Sequence, residues 1–544
     1  MRHSDGRATF QAYNSRCCAS QGPLFGKFFG AILLGLALAG VGRAHAAGVT
    51  IITHGLNGDI DGWVSSMTER LMNYRPFPGT NATRYELYFI PGGADYVLTW
   101  RRVAGGAPTT TDSGEIFIAL DWRQLASNDY STYDVAARVA PALLQTNFIS
   151  ELNGHALAEL PMHLAGHSRG GSLACELSRL LGMNGVWIDH LTTLDPHPLN
   201  NDGFFDFPYT VVDAPARTYE NVLFHDNYFQ DLNVIAYGEP VFGAYIRQLT
   251  SLDGGYGGFT ASHSDVHLWY HGTIDLRTPA SDTEASITSA ERQSWWTTYE
   301  SRGVAAGFYY SLIGSGDRLL TNRPAGTGTA RIRDGFNQVW DFGGGVSSNR
   351  TLLPSNNGGW PNPIRFNVSG TNLFAFGQTN FARLYYQWGQ PAVSNATLSL
   401  HLDSDFNPYN GNEQLVLNAS VPGTGVDGAN SGTARFVLNG TNATPGVHAL
   451  YAKISGGGRE RYLYAPEVLT VFSSFEPPRL AVTESTNDQA RVEVHGLGGQ
   501  RVAIQETIDF ETWQPMATNW LSTNVWTLLR PLANGQRFYR AVLQ

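Results

Sequence analysis

The sequence predicts a multidomain chain: an α/β domain with a mostly parallel sheet and helices on both faces, then two all-β domains. Three observations carry this expectation. From Gly48 to about Leu320, strand-like runs alternate with runs of helical period, the order that a parallel sheet with crossover helices needs. Beyond about residue 335 the helical period fades, and clusters of Gly, Asn, Ser and Thr separate short alternating runs. Pro477-Pro478 then breaks the pattern before a last set of strand-like runs. The expected boundaries are 1–47 for an export leader, 48–330 for the α/β domain, 335–474 for a β-sandwich and 479–544 for a small β-domain.

The elements follow in order. Val49–Ile52 is a short apolar strand, and Thr83–Ile90 and Glu115–Trp122 are strands rich in branched and aromatic residues. Ser131–Ile149 carries Val135, Val139, Ala142 and Leu143 at helical spacing. Leu160–Ala165 is a strand, Ser172–Leu181 a helix and Ile188–Leu194 a strand. In the second half, Ala396–Leu402, Ala434–Leu438 and His448–Ile454 alternate as sandwich strands do. Gln489–Val494, Gln500–Glu506 and Arg537–Val542 close the chain.

Composition narrows the class. Aromatic residues make up 12% and charged residues 15%, and the net charge of −10 comes without a basic stripe, so nucleic acid is not an expected partner. The amino terminus reads as a cleavable leader: a basic region to Lys27, an apolar run Phe28–Gly40, and the small-residue motif Ala44-His45-Ala46. A secreted or periplasmic protein is expected, with no transmembrane segment after cleavage. Cys17 and Cys18 fall inside the leader, so Cys175 is left alone and reads as a small buried apolar residue.

The chemistry is carried by Gly166-His167-Ser168-Arg169-Gly170, a G-x-S-x-G pentapeptide between a predicted strand and a predicted helix. A serine at so sharp a turn needs small neighbours, because side chains at 166 or 170 would meet backbone. Upstream, the strand Val49–Ile52 leads into His54-Gly55-Leu56-Asn57-Gly58, whose backbone N–H groups follow a strand end. Downstream, Asp195 ends the strand Ile188–Leu194, and Ser262-His263-Ser264-Asp265-Val266-His267 follows later. Read from residues alone, the acid is Asp195, Asp226 or Asp213, and the base is His263 or His267. The order serine, acid, histidine is that of the α/β-hydrolases.

At these motifs the chain resembles the pancreatic-type lipases and their bacterial relatives. The matching pieces are Ile51–Leu56, Gly166–Gly170, Leu194-Asp195-Pro196, and His263 followed by Trp269-Tyr270. The resemblance implies an α/β-hydrolase domain, with Ser168 as nucleophile, Asp195 as acid and His263 as base, and with the backbone N–H groups of Leu56 and Arg169 forming the oxyanion hole. It implies a serine esterase acting on an ester or lipid-like substrate through an acyl-enzyme, with no cofactor and no metal. Polyester or amide hydrolysis on the same triad, and a catalytically inactive binding or adhesion protein, are the alternatives. The β-domains are expected to contact a surface or polymer.

Other patterns have plainer readings beside them. His263, His267 and His271 recur every four residues and would share one helix face, a spacing that suggests a zinc site with Asp265; packing is the competing reading. Asp403-Ser404-Asp405-Phe406-Asn407 resembles the start of a calcium loop but lacks the glycine and glutamate that complete an EF-hand, so a turn explains it equally. Phe204-Phe205-Asp206-Phe207-Pro208-Tyr209 lines an acyl pocket or packs into the core.

Overall fold

The computed structural model describes residues 47–543 except 74–81, 128, 204–205, 207, 234–235, 275–280, 296–306, 309–349, 356–357, 370–372, 389–392, 424–429, 466–467, 473–477, 486–488, 497–499, 522–524 and 532–536. The expected leader, the expected boundary near 330–335, Pro477, Phe204, Phe205 and Phe207 therefore lie outside the described residues. Among the described residues no helix is long and apolar enough to cross a membrane.

The motif-bearing part is built on eight strands and four helices: β1 (Val49–Thr53), α1 (Trp63–Asn73), β2 (Thr83–Gly92), β3 (Asp95–Ala104), β4 (Ile116–Asp121), α2 (Thr132–Leu144), β5 (Met162–His167), α3 (Arg169–Met183), β6 (Ile188–Leu194), β7 (Val222–Phe229), β8 (Tyr245–Gln248) and α4 (Ala261–Gly272). The strands form one sheet in the order β3-β2-β4-β1-β5-β6-β7-β8. The β2–β3 pair is antiparallel and the other pairs are parallel. Register brings Gly166 level with Thr53 on one side and with Thr193 on the other. The carboxyl ends of β1, β5 and β6 thus lie side by side. That is where the motif falls.

The alternating faces of these strands feed two cores. Ile51, Ile116, Ile118 and Leu164 pack with Val135, Val139, Leu173 and Leu177 of α2 and α3. Ile52, Phe117, Ala119 and Leu194 pack with Val64, Met67, Val266 and Trp269 of α1 and α4. Helix α2 starts on a capping box, with Ser131 and Asp134 satisfying each other's backbone N–H groups.

The expected fold class is corrected. Strands make up 43% of the chain and helices 18%, so the chain is mostly β; its large sheet is mixed, and the other sheets are small. No clear α/β-hydrolase domain results. The difference arises in two places. Asp95–Ala104, where the sequence pattern predicts no element, folds back on β2 as a ten-residue antiparallel strand. Beyond residue 360, long strands pair almost wholly antiparallel, as in Val393–Asp403 with Gln414–Gly423 and Gly446–Gly456.

These later sheets also share core with the first. Trp360, Tyr451, Tyr462 and Tyr464 join the cluster around Val49 and Ile118. Buried Arg461 donates to the carbonyls of Trp187 and Leu160 and pairs with Asp189 at 3.2 Å. The strands from Arg479 onward close around a smaller core of Val492, Val494, Val502, Ile504 and Leu521.

Candidate active site

Ser168 is the hinge residue between β5 and α3. Its backbone lies at φ 57° and ψ −127°, a strained conformation for a residue with a side chain. The surrounding glycines make it attainable. A Cβ at Gly166 would stand 1.9 Å from the Gly170 carbonyl oxygen, and one at Gly170 would stand 2.4 Å from that of His54. A Cβ at Gly55 would come within 2.7 Å of the Ser168 Cβ. Helix α3 can therefore start directly after the strand, with the β1 loop pressed against the turn. Among the described residues the Ser168 hydroxyl carries no side-chain hydrogen bond, and the residue is 6% exposed.

The neighbouring strand ends on Asp195, also at positive φ (45°) and fully buried. The Ser168 amide donates to the Leu194 carbonyl at 3.0 Å, and the Asp195 amide to the Tyr228 carbonyl at 2.7 Å, so both turns are stitched to the next strand. Asp195 Oδ2 accepts from His263 Nδ1 at 2.6 Å and from Gln230 Nε2 at 2.8 Å. Its Oδ1 accepts from the backbone of Gln230 at 2.8 Å and of Gly238 at 3.0 Å. Gly238 has to be a glycine, since a Cβ there would lie 2.4 Å from Asp195 Oδ1. His263 sits in the first turn of α4 with its side chain 15% exposed. Because a carboxylate can only accept, Nδ1 carries the proton in this bond, and in the neutral ring the lone pair falls on Nε2.

Two backbone donors adjoin the Ser168 turn. The N–H of Arg169 opens α3, where no intrahelical acceptor exists, and that of Leu56 follows Gly55 in the loop against Ser168; among the described residues neither has an acceptor. The loop itself is fixed by His54. Its Nε2 accepts from the Trp122 amide at 3.1 Å, Nδ1 donates to the Gly55 carbonyl at 3.0 Å, and Trp122 Nε1 donates to the His54 carbonyl at 3.0 Å.

The other residues singled out from the sequence are placed elsewhere. Asp226 is buried with His190 Nε2 at 2.8 Å, the Thr192 hydroxyl at 2.5 Å and the Tyr228 hydroxyl at 2.9 Å, and burial raises its pKa. Asp213 pairs with the Arg169 side chain. His267 stacks on Trp63 with ring centroids 4.3 Å apart, and burial holds its pKa well below the ordinary value. His263, His267, His271 and Asp265 do not form a converging ligand group. Among the described residues such groups are His155–Glu159–Glu460 and His197–Asp202–Asp206.

In the 403–407 loop the oxygens are taken by the chain itself. Asp403 accepts from the Asp405 amide and the Tyr464 hydroxyl, and Asp405 from the Asn407 amide and the amide groups of Asn410 and Asn412. Asn407 then donates to the carbonyls of Pro108 and Thr111 at 2.6 and 2.7 Å, tying the loop to the connection between β3 and β4. Of the aromatic run, Asp206 accepts from the Asn200 amide at 2.8 Å.

Three residues at the site carry no signal of their own in the sequence. Gln230 and Gly238, which hold Asp195, sit in loops without a local signature. His167 lies inside the pentapeptide but at a position the motif leaves open.

No family model matches the chain, and no curated protein matches it. Among solved structures, the chain is similar to the CARDB domain of the PF1109 protein of Pyrococcus furiosus, in complex with di-metal ions, at 10% identity and a TM-score of 0.14, covering 21% of this chain and 94% of that one. It is also similar to the human OSCAR ligand-binding domain, at 12% identity and a TM-score of 0.17, covering 34% of this chain and 89% of that one.

Proposed function

We propose that this protein is a serine hydrolase that cleaves carboxylic esters through an acyl-enzyme, with Ser168 as nucleophile, His263 as base and Asp195 as the residue that orients it. The observation that carries the reading is the pairing of a strained serine turn with a carboxylate–imidazole pair on the adjoining strand end. A serine hydroxyl is a weak nucleophile near neutral pH until a base takes its proton as attack begins. With Nδ1 donating to Asp195, the free lone pair of His263 lies on Nε2, the tautomer that general-base catalysis needs. The oxygen that becomes negative would be met by the N–H groups of Leu56 and Arg169, where one lost donor costs about 10²–10³ in turnover. Water then cleaves the acyl-enzyme, with His263 as base a second time.

An apolar ester is favoured by exposed apolar residues close in sequence to those that hold Asp195 and to His263. Leu232, Phe242 and Phe259 are 49%, 76% and 71% exposed, on loops that adjoin the residues bonded to Asp195 or precede His263. Large exposed apolar side chains suit apolar partners. The test is a p-nitrophenyl ester chain-length series together with a fluorophosphonate probe. Wild type should hydrolyse the esters and label at Ser168, and Ser168→Ala should do neither. An unlabelled wild-type protein that turns over no ester overturns the reading.

A further inference from the structure

The geometry points to His167 as a positioning residue that ties the base helix to the nucleophile's turn through a side-chain hydrogen bond to the backbone carbonyl of His263. This rests on the roles proposed for Ser168 and His263. His167 Nε2 lies 2.8 Å from the His263 carbonyl oxygen. A carbonyl only accepts, so Nε2 carries the proton, and burial, together with His263 nearby, keeps the ring neutral by lowering its pKa well below the usual value. The ring is enclosed by others: His263 at 4.4 Å between centroids, His267 edge-on at 4.7 Å and Trp63 edge-on at 5.9 Å.

Such a contact has a purpose that packing alone does not supply. Ser168 and His263 come from segments 95 residues apart, and the Asp195 bond fixes only the imidazole ring. The His167 bond fixes the backbone from which that ring hangs, and its other end is covalently joined to Ser168. Base and nucleophile are thereby referenced to each other through one side chain. An apolar residue at 167 could fill the same space between Trp63 and His267 but could not hold the carbonyl.

The experiment compares wild type with His167→Leu, His167→Asn and His167→Gln in ester turnover and in the rate of fluorophosphonate labelling. Leucine removes the donor, asparagine is too short to reach the carbonyl, and glutamine can carry an N–H to about the place of Nε2. In both His167→Leu and His167→Asn, kcat should fall by about ten- to a hundredfold, the scale of a misplacement of about 1 Å, with KM within about twofold. Labelling should slow in parallel, and His167→Gln should recover to within about threefold of wild type. If His167→Leu does not fold, His167→Asn and His167→Gln carry the comparison. A folded His167→Asn or His167→Leu protein within twofold of wild type overturns the assignment, and so does a His167→Gln protein as slow as the other two. Failure of wild type itself to label would instead overturn the hydrolase reading.

Discussion

Arg169 grips Asp213 with two parallel bonds, Nε to Oδ2 at 2.6 Å and Nη2 to Oδ1 at 2.8 Å, and neither side chain is exposed. The guanidinium also donates to the carbonyls of Ala126 and Tyr130 and lies over the Trp122 ring. The residue whose amide is proposed to meet the oxyanion is thus anchored through its side chain. Removing one partner of a buried pair leaves the other charge unpaired, at a cost of about 3–5 kcal/mol. Asp213→Ala should therefore lose stability of that order in denaturant unfolding. A loss below about 1 kcal/mol would show that the pair is not needed.

The two buried carboxylates Asp195 and Asp226 should separate cleanly in kinetics. Asp195→Asn keeps the shape but can no longer enforce the tautomer of His263, and kcat should drop by about 10⁴ with the fold intact. Asp226→Asn, which disturbs hydrogen bonds to His190, Thr192 and Tyr228, should change stability and leave kcat within about threefold. Steady-state turnover of a short-chain ester decides the matter; the opposite ranking would reassign the acid.

The glycines of the turn should be intolerant for steric reasons alone. Gly166→Ala places its Cβ 1.9 Å from a backbone oxygen, so folded protein should be lost or unfold at much lower denaturant. At Gly257 an added methyl would meet nothing within 4 Å, which makes it the control, and Gly257→Ala should stay within about 0.5 kcal/mol of wild type. Equal tolerance at the two positions would contradict the geometry of the turn.

Acid should weaken the protein through its buried histidines. Burial pushes the His271 pKa down to about 3, with Arg70 adding to the effect, and its Nδ1 has no partner among the described residues. Between that value and the ordinary pKa of about 6.5, the unfolded chain binds a proton here that the folded chain does not. Stability from this group is complete above about pH 6.5 and is lost as pH falls toward 3, at about 1.4 kcal/mol per pH unit. Asp265 on the same helix, raised to about 7 by burial, acts in the opposite sense as pH falls from 7 to its ordinary value, so the comparison must be between variants. Denaturant midpoints from pH 7 to 4.5 should fall less steeply for His271→Leu than for wild type; parallel slopes would rule the effect out.

Much of the local framework is legible along the chain. Strands at Thr83, Ile116 and Ile188 and the helices around Val135 and Leu173 lie close to where apolar spacing puts them. Helix α1 escapes such reading, because only its buried stripe of Trp63, Val64, Met67 and Leu71 marks it within a polar segment. The overall class is not legible in the same way, because strands that alternate with helices locally can still belong to a mixed sheet. The antiparallel β2–β3 hairpin depends on a pairing that no single segment encodes.

The site divides along the same line. Residue order alone specified the turn at Ser168, since the need for glycine at 166 and 170 comes from contacts within a few residues and with one adjacent strand. Which acid meets which imidazole was decided only in three dimensions. Asp195 and Asp226 both lie at the ends or within parallel strands, and His263 and His267 share a helix face one turn apart, so local pattern treats them alike. The pairing of β6 with β7 and the docking of α4 against Trp63 put Asp195 2.6 Å from His263 and bury His267 against an indole. Short-range sterics can be written in a pentapeptide, whereas a hydrogen bond across 68 residues exists only once the sheet and helix have packed.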